Sequence, residues 1–127
     1  MKLFWSHLTV DEAREIGLQN GNSAVVEFIL YYFRKFNLES VLKTFRMICA
    51  EYSNAFLYSE SGDGRNRTII LRHSMGRSAS AYYGASLKAL SARLGLEAEL
   101  EESDDQLVCK IRRVDKEQSV ALKTLKA

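Results

Sequence analysis

Apolar positions in the first fifty residues recur at intervals of three and four, the spacing of helices that bury one face. Thr9-Val10-Asp11-Glu12 has the Thr-x-x-Glu form of a capping box, with acids where the helix dipole favours them. The spacing predicts a helix over 10–20 with Val10, Ala13, Ile16 and Gly17 on one face. Asn20-Gly21-Asn22 should stop it, Gly21 taking the left-handed conformation and Asn22 or Ser23 capping the next helix.

That second helix, over 23–36, carries two apolar stripes side by side: Val25, Ile29, Tyr32 and Phe36, then Val26, Leu30 and Phe33. A helix apolar on more than one side is buried on more than one side. It belongs at the centre of the helical layer or at a subunit interface, and an interface is expected to be part of the answer. Asn37 should cap a third helix over 38–52, where Leu38, Val41, Leu42, Phe45, Ile48, Cys49 and Tyr52 form one face and Lys43 and Arg46 look to solvent.

Near residue 54 the period falls to two. Ala55–Tyr58 and Thr68–Arg72 read as strands joined by the turn residues of Ser61-Gly62-Asp63-Gly64-Arg65-Asn66. Met75-Gly76-Arg77-Ser78 opens a long helix over 77–94, with Tyr83, Leu87, Leu90 and Leu94 inside and Gly95 at its end. Leu96, Ala98 and Leu100 then alternate with Glu97, Glu99 and Glu101. After the Ser103-Asp104-Asp105 turn, Leu107, Cys109 and Ile111 alternate with Val108, Lys110 and Arg112, so acids and bases should pair across the two strands.

The expected fold is a single two-layer α+β domain over 1–127. Its parts are a three-helix layer (1–53), a ββαββ unit forming a four-stranded antiparallel sheet (54–113), and a tail (114–127). That tail can be helical on Val120, Ala121 and Leu125 but is short, Lys-rich and inclined to fray.

Charge changes the picture only slightly. Eighteen Lys plus Arg against sixteen Asp plus Glu leave +2, too even for the clearly basic face of most nucleic-acid binders. No apolar run approaches the roughly 18 residues of a membrane span. The start, Met1-Lys2-Leu3-Phe4-Trp5-Ser6-His7, lacks a secretory apolar stretch, so a cytoplasmic location is expected. Cys49 and Cys109 read as buried thiols, and with His7 and His73 they make no ligand set; neither a metal nor a cofactor is expected.

The residues with chemistry to offer cluster where a strand ends and the long helix starts: Arg72, His73, Ser74, Gly76, Arg77 and Ser78. Helix amides attract anions, and arginines add bidentate donors. The same positions also have a structural reading, with Ser74 or Ser78 capping the helix and the bases solvated. The segment has neither a phosphate-loop run nor a Gly-x-Ser-x-Gly elbow, and adjacent strand residues point to opposite faces, which argues against a His73–Ser74 nucleophile. No catalytic residue is assigned. Tyr82 and Tyr83, among Ala79, Ala81 and Ala85, suit packing on the sheet, a close helix–helix contact, or an apolar pocket wall.

The stretch Thr68-Ile-Ile-Leu-Arg-His-Ser-Met-Gly-Arg-Ser, the helix through Leu94-Gly95, and Glu97-Ala-Glu-Leu-Glu resemble the small-molecule-binding domains related to bacterial vinyl-reductase and haem-NO-associated sensors. They also look like accessory domains of uncharacterised archaeal regulators. The likeness spans about 60 residues by element order. It implies a pocket between sheet and covering helices, near Arg72, His73, Arg77 and the Tyr82–Tyr83 face. The paired cysteines and haem-ligating histidine helix of some relatives are absent here, so no redox or haem role is carried over.

Two functions follow as expectations. The first is a non-catalytic sensor or regulatory module that signals through a homodimer formed by helix 23–36. Its small ligand, with an anion as one option, would meet Arg72, His73, Arg77, Ser78, Tyr82 and Tyr83. The alternative is a nucleic-acid-binding protein, a transcription regulator or chromatin-type, using Arg65, Arg67, Lys110, Arg112 and Arg113 with the Lys/Arg-rich C-terminus.

Overall fold

A computed structural model describes residues 7–51, 56–63 and 66–113, and the side chains of these except 48–51 and 56. The expectations for Tyr52, Ala55, Gly64, Arg65, the tail 114–127 and the Ile48 and Cys49 side chains lie outside what is described. Helix α1 (Val10–Asn22) starts as its sequence predicts. The Thr9 hydroxyl accepts the Glu12 N–H at 3.1 Å, and the Glu12 carboxylate accepts the Thr9 N–H at 3.0 Å.

The far end of α1 departs from expectation. Gly21 does not adopt a left-handed conformation; it stays helical, and α1 continues to Asn22. The reason is the long helix α4 (Arg77–Arg93), against which Gly17 and Gly21 lie one turn apart. A Cβ at Gly21 would sit 2.8 Å from the Ser86 carbonyl oxygen, and one at Gly17 would strike that of Tyr82. The two helices run parallel: Ser78 donates to the Leu8 carbonyl (2.9 Å) at one end, and Arg93 to the Asn22 carbonyl (2.6 Å) at the other. Ser23 takes the N-cap position of the next helix but makes no side-chain capping bond, because the Asn22 and Ser23 side chains donate back to the Leu18 and Gln19 carbonyls.

Helix α2 (Ala24–Phe33) ends three residues before the predicted boundary. Arg34 turns left-handed (φ 61°), and its N–H closes on the Leu30 carbonyl at 3.0 Å. Only Ile29 of α2 is fully buried, while Phe28, Leu30, Tyr31 and Tyr32 are exposed. Asn37 caps α3 (Leu38–Glu51) as expected, its Oδ1 accepting the Ser40 N–H at 2.8 Å. Val41, Leu42 and Phe45 of α3 enter the core.

Strands β1 (Phe56–Gly62), β2 (Asn66–His73), β3 (Leu96–Glu102) and β4 (Gln106–Arg113) form one antiparallel sheet in the order β1-β2-β4-β3. Its inner face carries Ile69, Leu71, Leu107, Cys109 and Ile111, all buried. On the outer face Arg112 pairs with Glu97 (3.1 Å) and Lys110 with Glu101 (3.9 Å), the cross-strand pairing that the alternation implies. The fold is therefore the expected α+β arrangement.

The helix at its centre is α4, not α2. Below it lies the sheet, above it α1, and Phe45 of α3 meets Tyr83 edge-on at 6.3 Å. Ala79, Ser80, Ala81, Gly84, Ala85, Ser86, Ala89 and Ser91 are all buried there, small enough to let neighbours approach on every side. Among the described residues, no helix is long and apolar enough to cross a membrane.

Candidate functional site

The junction of β2 and α4 places its residues apart. Arg72 faces outward from the sheet, exposed, with its Nε 3.3 Å from Gln106 Oε1. His73, one residue on, points inward and is 7% exposed, as alternation along a strand requires. The Met75 N–H donates to His73 Nδ1 at 3.1 Å, so the ring proton resides on Nε2 and is donated to Ser80 Oγ at 2.7 Å. Ser80 in turn donates to the Ser103 carbonyl at 2.8 Å. This chain of hydrogen bonds ties the end of β2, the first turn of α4 and the β3–β4 turn together.

Burial pushes the His73 imidazole below its ordinary range, and nearby Asp105 only partly offsets that. A neutral, doubly engaged imidazole is a structural clamp.

No side chain caps α4. Gly76 occupies the cap with φ 91°, a left-handed backbone that suits glycine, while Ser78 spends its hydroxyl on Leu8. The structural reading of Ser74 or Ser78 as the cap is thus corrected. Arg77 lies exposed on the first turn. Arg72, His73 and Arg77 therefore do not converge on one point.

Tyr82 and Tyr83 meet edge-on, 5.0 Å between ring centres, and then diverge. Tyr83 is buried against Phe45 in the core. Tyr82 reaches the end of α1, where its hydroxyl accepts from Asn20 Nδ2 at 2.8 Å. There it lines a cleft of about 390 Å³ whose walls come from four helices. Asn20 belongs to α1; Ala24, Val25 and Phe28 to α2; Thr44 and Met47 to α3; Tyr82 to α4. The Thr44 hydroxyl is committed to the Ser40 carbonyl at 2.9 Å. No ionised side chain is among these residues. Phe28 and Met47 remain partly exposed at the mouth.

The pattern of the chain points to Tyr82 as a pocket wall but not to its partners. Asn20 looks like a helix-stop residue, and Thr44 and Met47 look like ordinary positions of an amphipathic helix. Nothing local marks them as neighbours across three helices.

The described bases of the nucleic-acid reading are dispersed. Arg67 turns to the helical side, where its guanidinium pairs with Glu39 at 2.8 Å and its Nε donates to the Asp63 carbonyl at 2.9 Å. Arg46, expected in solvent, bridges to Glu60 (3.3 Å) and Glu39 (3.9 Å), tying α3 to the sheet. Lys110 and Arg112 lie on the other face beside their acids, and Arg113 is exposed near Leu96 and Gly95. Burial pushes the Cys109 thiol up to about 12. Among the described residues no three His, Cys, Asp or Glu side chains gather as a metal set.

Neither a protein-family model nor a curated protein matches this chain.

Proposed function

We propose that this chain is a non-catalytic regulatory module that binds a small, uncharged, largely apolar ligand in the four-helix cleft. The observation that carries the reading is the cleft itself. Its volume of about 390 Å³ falls within the range of small-molecule sites. Among the described residues its walls are apolar apart from the Asn20–Tyr82 hydrogen bond and Thr44. An anion entering it would lose hydration without gaining a counter-charge from the described wall residues. The ligand class therefore shifts from the anion considered for Arg72, His73 and Arg77 to a neutral molecule with one polar group for Asn20 or Tyr82.

A regulatory role fits the way the cleft is built. A ligand touching α1, α2, α3 and α4 together would favour one arrangement of the four, and an equilibrium shifts only by such differential contacts. Phe28 links cleft and surface, being both a cleft wall and exposed on α2. The element order resembling the sensor domains favours the same role over catalysis. Among the described residues the nucleic-acid alternative has no comparable gathering of groups, since Arg67, Lys110 and Arg112 each stand beside a carboxylate.

Thermal unfolding with naphthol and with naphthoate tests this, the two sharing a ring system and differing in charge. Naphthol should raise the melting temperature, by about 2.7 kcal/mol of stabilisation at a hundredfold excess over its dissociation constant. Naphthoate should do much less. Met47→Trp, at a partly exposed wall position, should abolish the naphthol response and leave the ligand-free melting temperature nearly unchanged. Equal responses to both compounds, or a full response in Met47→Trp, would count against the cleft.

A further inference from the structure

We infer that α2 pairs antiparallel with α2 of a second copy of this chain, across a two-fold axis close to Tyr31. The inward line of α2 runs through Ile29 and the half-buried Val25 and Phe33, so the opposite line carries Ala24, Glu27 and Tyr31, with the left-handed Arg34 just past its end. Tyr31 is 78% exposed, and Leu30 and Tyr32 flank it at 47% and 57%. Contiguous apolar exposure of this kind marks a contact surface.

Charge selects the occupant. The one acid of the exposed line, Glu27, sits in the first turn of α2, and the bases Arg34 and Lys35 follow its end. The Arg34 guanidinium lies 6.0 Å from the Tyr31 ring centre, which places both on one face. In an antiparallel pair centred near Tyr31, Glu27 of each copy falls opposite Arg34 and Lys35 of the other. The arrangement is self-complementary, as a two-fold contact requires, and it forms the ionic contact twice. A parallel pair would instead set Glu27 against Glu27.

The pairing stands on α2 alone; only its use as an output of ligand binding rests on the proposed role of the cleft.

Light scattering of the full chain without ligand, at high micromolar concentration, tests it by charge exchange. The wild type should scatter as twice the 14.5 kDa chain. Glu27→Arg alone, and Arg34→Glu with Lys35→Glu alone, should each weaken dimerisation by at least about tenfold, since each puts like charges opposite. An equimolar mixture of those two variants should dimerise again, because every cross-contact then joins opposite charges.

All substituted positions are exposed, and unchanged circular dichroism verifies that the variants are folded. Tyr31→Ala should weaken the dimer without altering charge. A monomeric wild type, a mixture that stays monomeric, or single variants that dimerise normally would overturn the pairing. A monomer stabilised by naphthol would overturn the pairing and leave the cleft standing. A charge-dependent dimer indifferent to naphthol would do the reverse.

Discussion

The Ser86 hydroxyl donates to the Gly17 carbonyl at 3.0 Å, within a helix contact that leaves no space for a Cβ on Gly17. Small residues on α1 and α4 bring the two backbones together, and Asn20, between Gly17 and Gly21, lines the cleft with Tyr82. Gly17→Ala and Gly21→Ala should therefore each destabilise the fold, since a methyl group there meets backbone atoms that can move only with their helix. Overpacking of this kind costs about 1–3 kcal/mol, more than the roughly 1 kcal/mol that alanine adds to helix propensity. Urea unfolding reads the difference. A gain in stability in either variant would contradict the contact.

His73 should make the fold sensitive to mild acid. Its folded-state affinity for protons lies below the ordinary histidine value of 6.5, so the unfolded chain binds more protons between the two. The stability it contributes is complete above pH 6.5 and is lost as pH falls through the folded value. Protonating Nδ1 would also remove the acceptor for the Met75 N–H. The denaturant midpoint should drop between pH 7 and pH 5, and His73→Gln should flatten that dependence. A His73 ring resonance that titrates at or above 6.5 would contradict the clamp.

Arg72→Ala and Arg77→Ala should each alter stability by less than about 0.5 kcal/mol, as usual for exposed positions. Neither should change the naphthol response, because neither residue lines the cleft. Thermal unfolding of both variants with and without naphthol checks this. Loss of the response in Arg77→Ala would return the site to the start of α4.

Much of the architecture is legible in residue order, because strands and amphipathic helices announce themselves by period. Leu96–Glu101 and Leu107–Arg112 alternate cleanly, and both the pairing of Glu97 with Arg112 and the capping at Thr9 and Asn37 follow from local chemistry. Gly21 is misleading for a physical reason: a glycine that ends a helix and one that admits a neighbouring helix look alike in one dimension. The central place of α4 is masked because Ala, Ser and Gly carry little hydropathy, so burial on every side leaves no periodic trace. For α2 the two apolar stripes leave a central helix and an interface helix open, and the exposure of Phe28, Leu30, Tyr31 and Tyr32 removes the first.

The candidate site was legible in part. Alternation along β2 settles that Arg72 and His73 diverge. The partners that immobilise His73, Ser80 and the Ser103 carbonyl, come from segments seven and thirty residues away in sequence and meet only through the sheet topology. The cleft is harder still to foresee, being made of one to three described residues from each of four helices.

Backbone amide chemical shifts during a naphthol titration test the central claim most directly, because they separate the cleft from the β2–α4 junction in one experiment. The predicted result is a set of shifts centred on Asn20, Val25, Thr44 and Tyr82, with Arg72, Ser74 and Arg77 unmoved. Shifts centred on residues 72–78, with the four cleft residues unmoved, would contradict it.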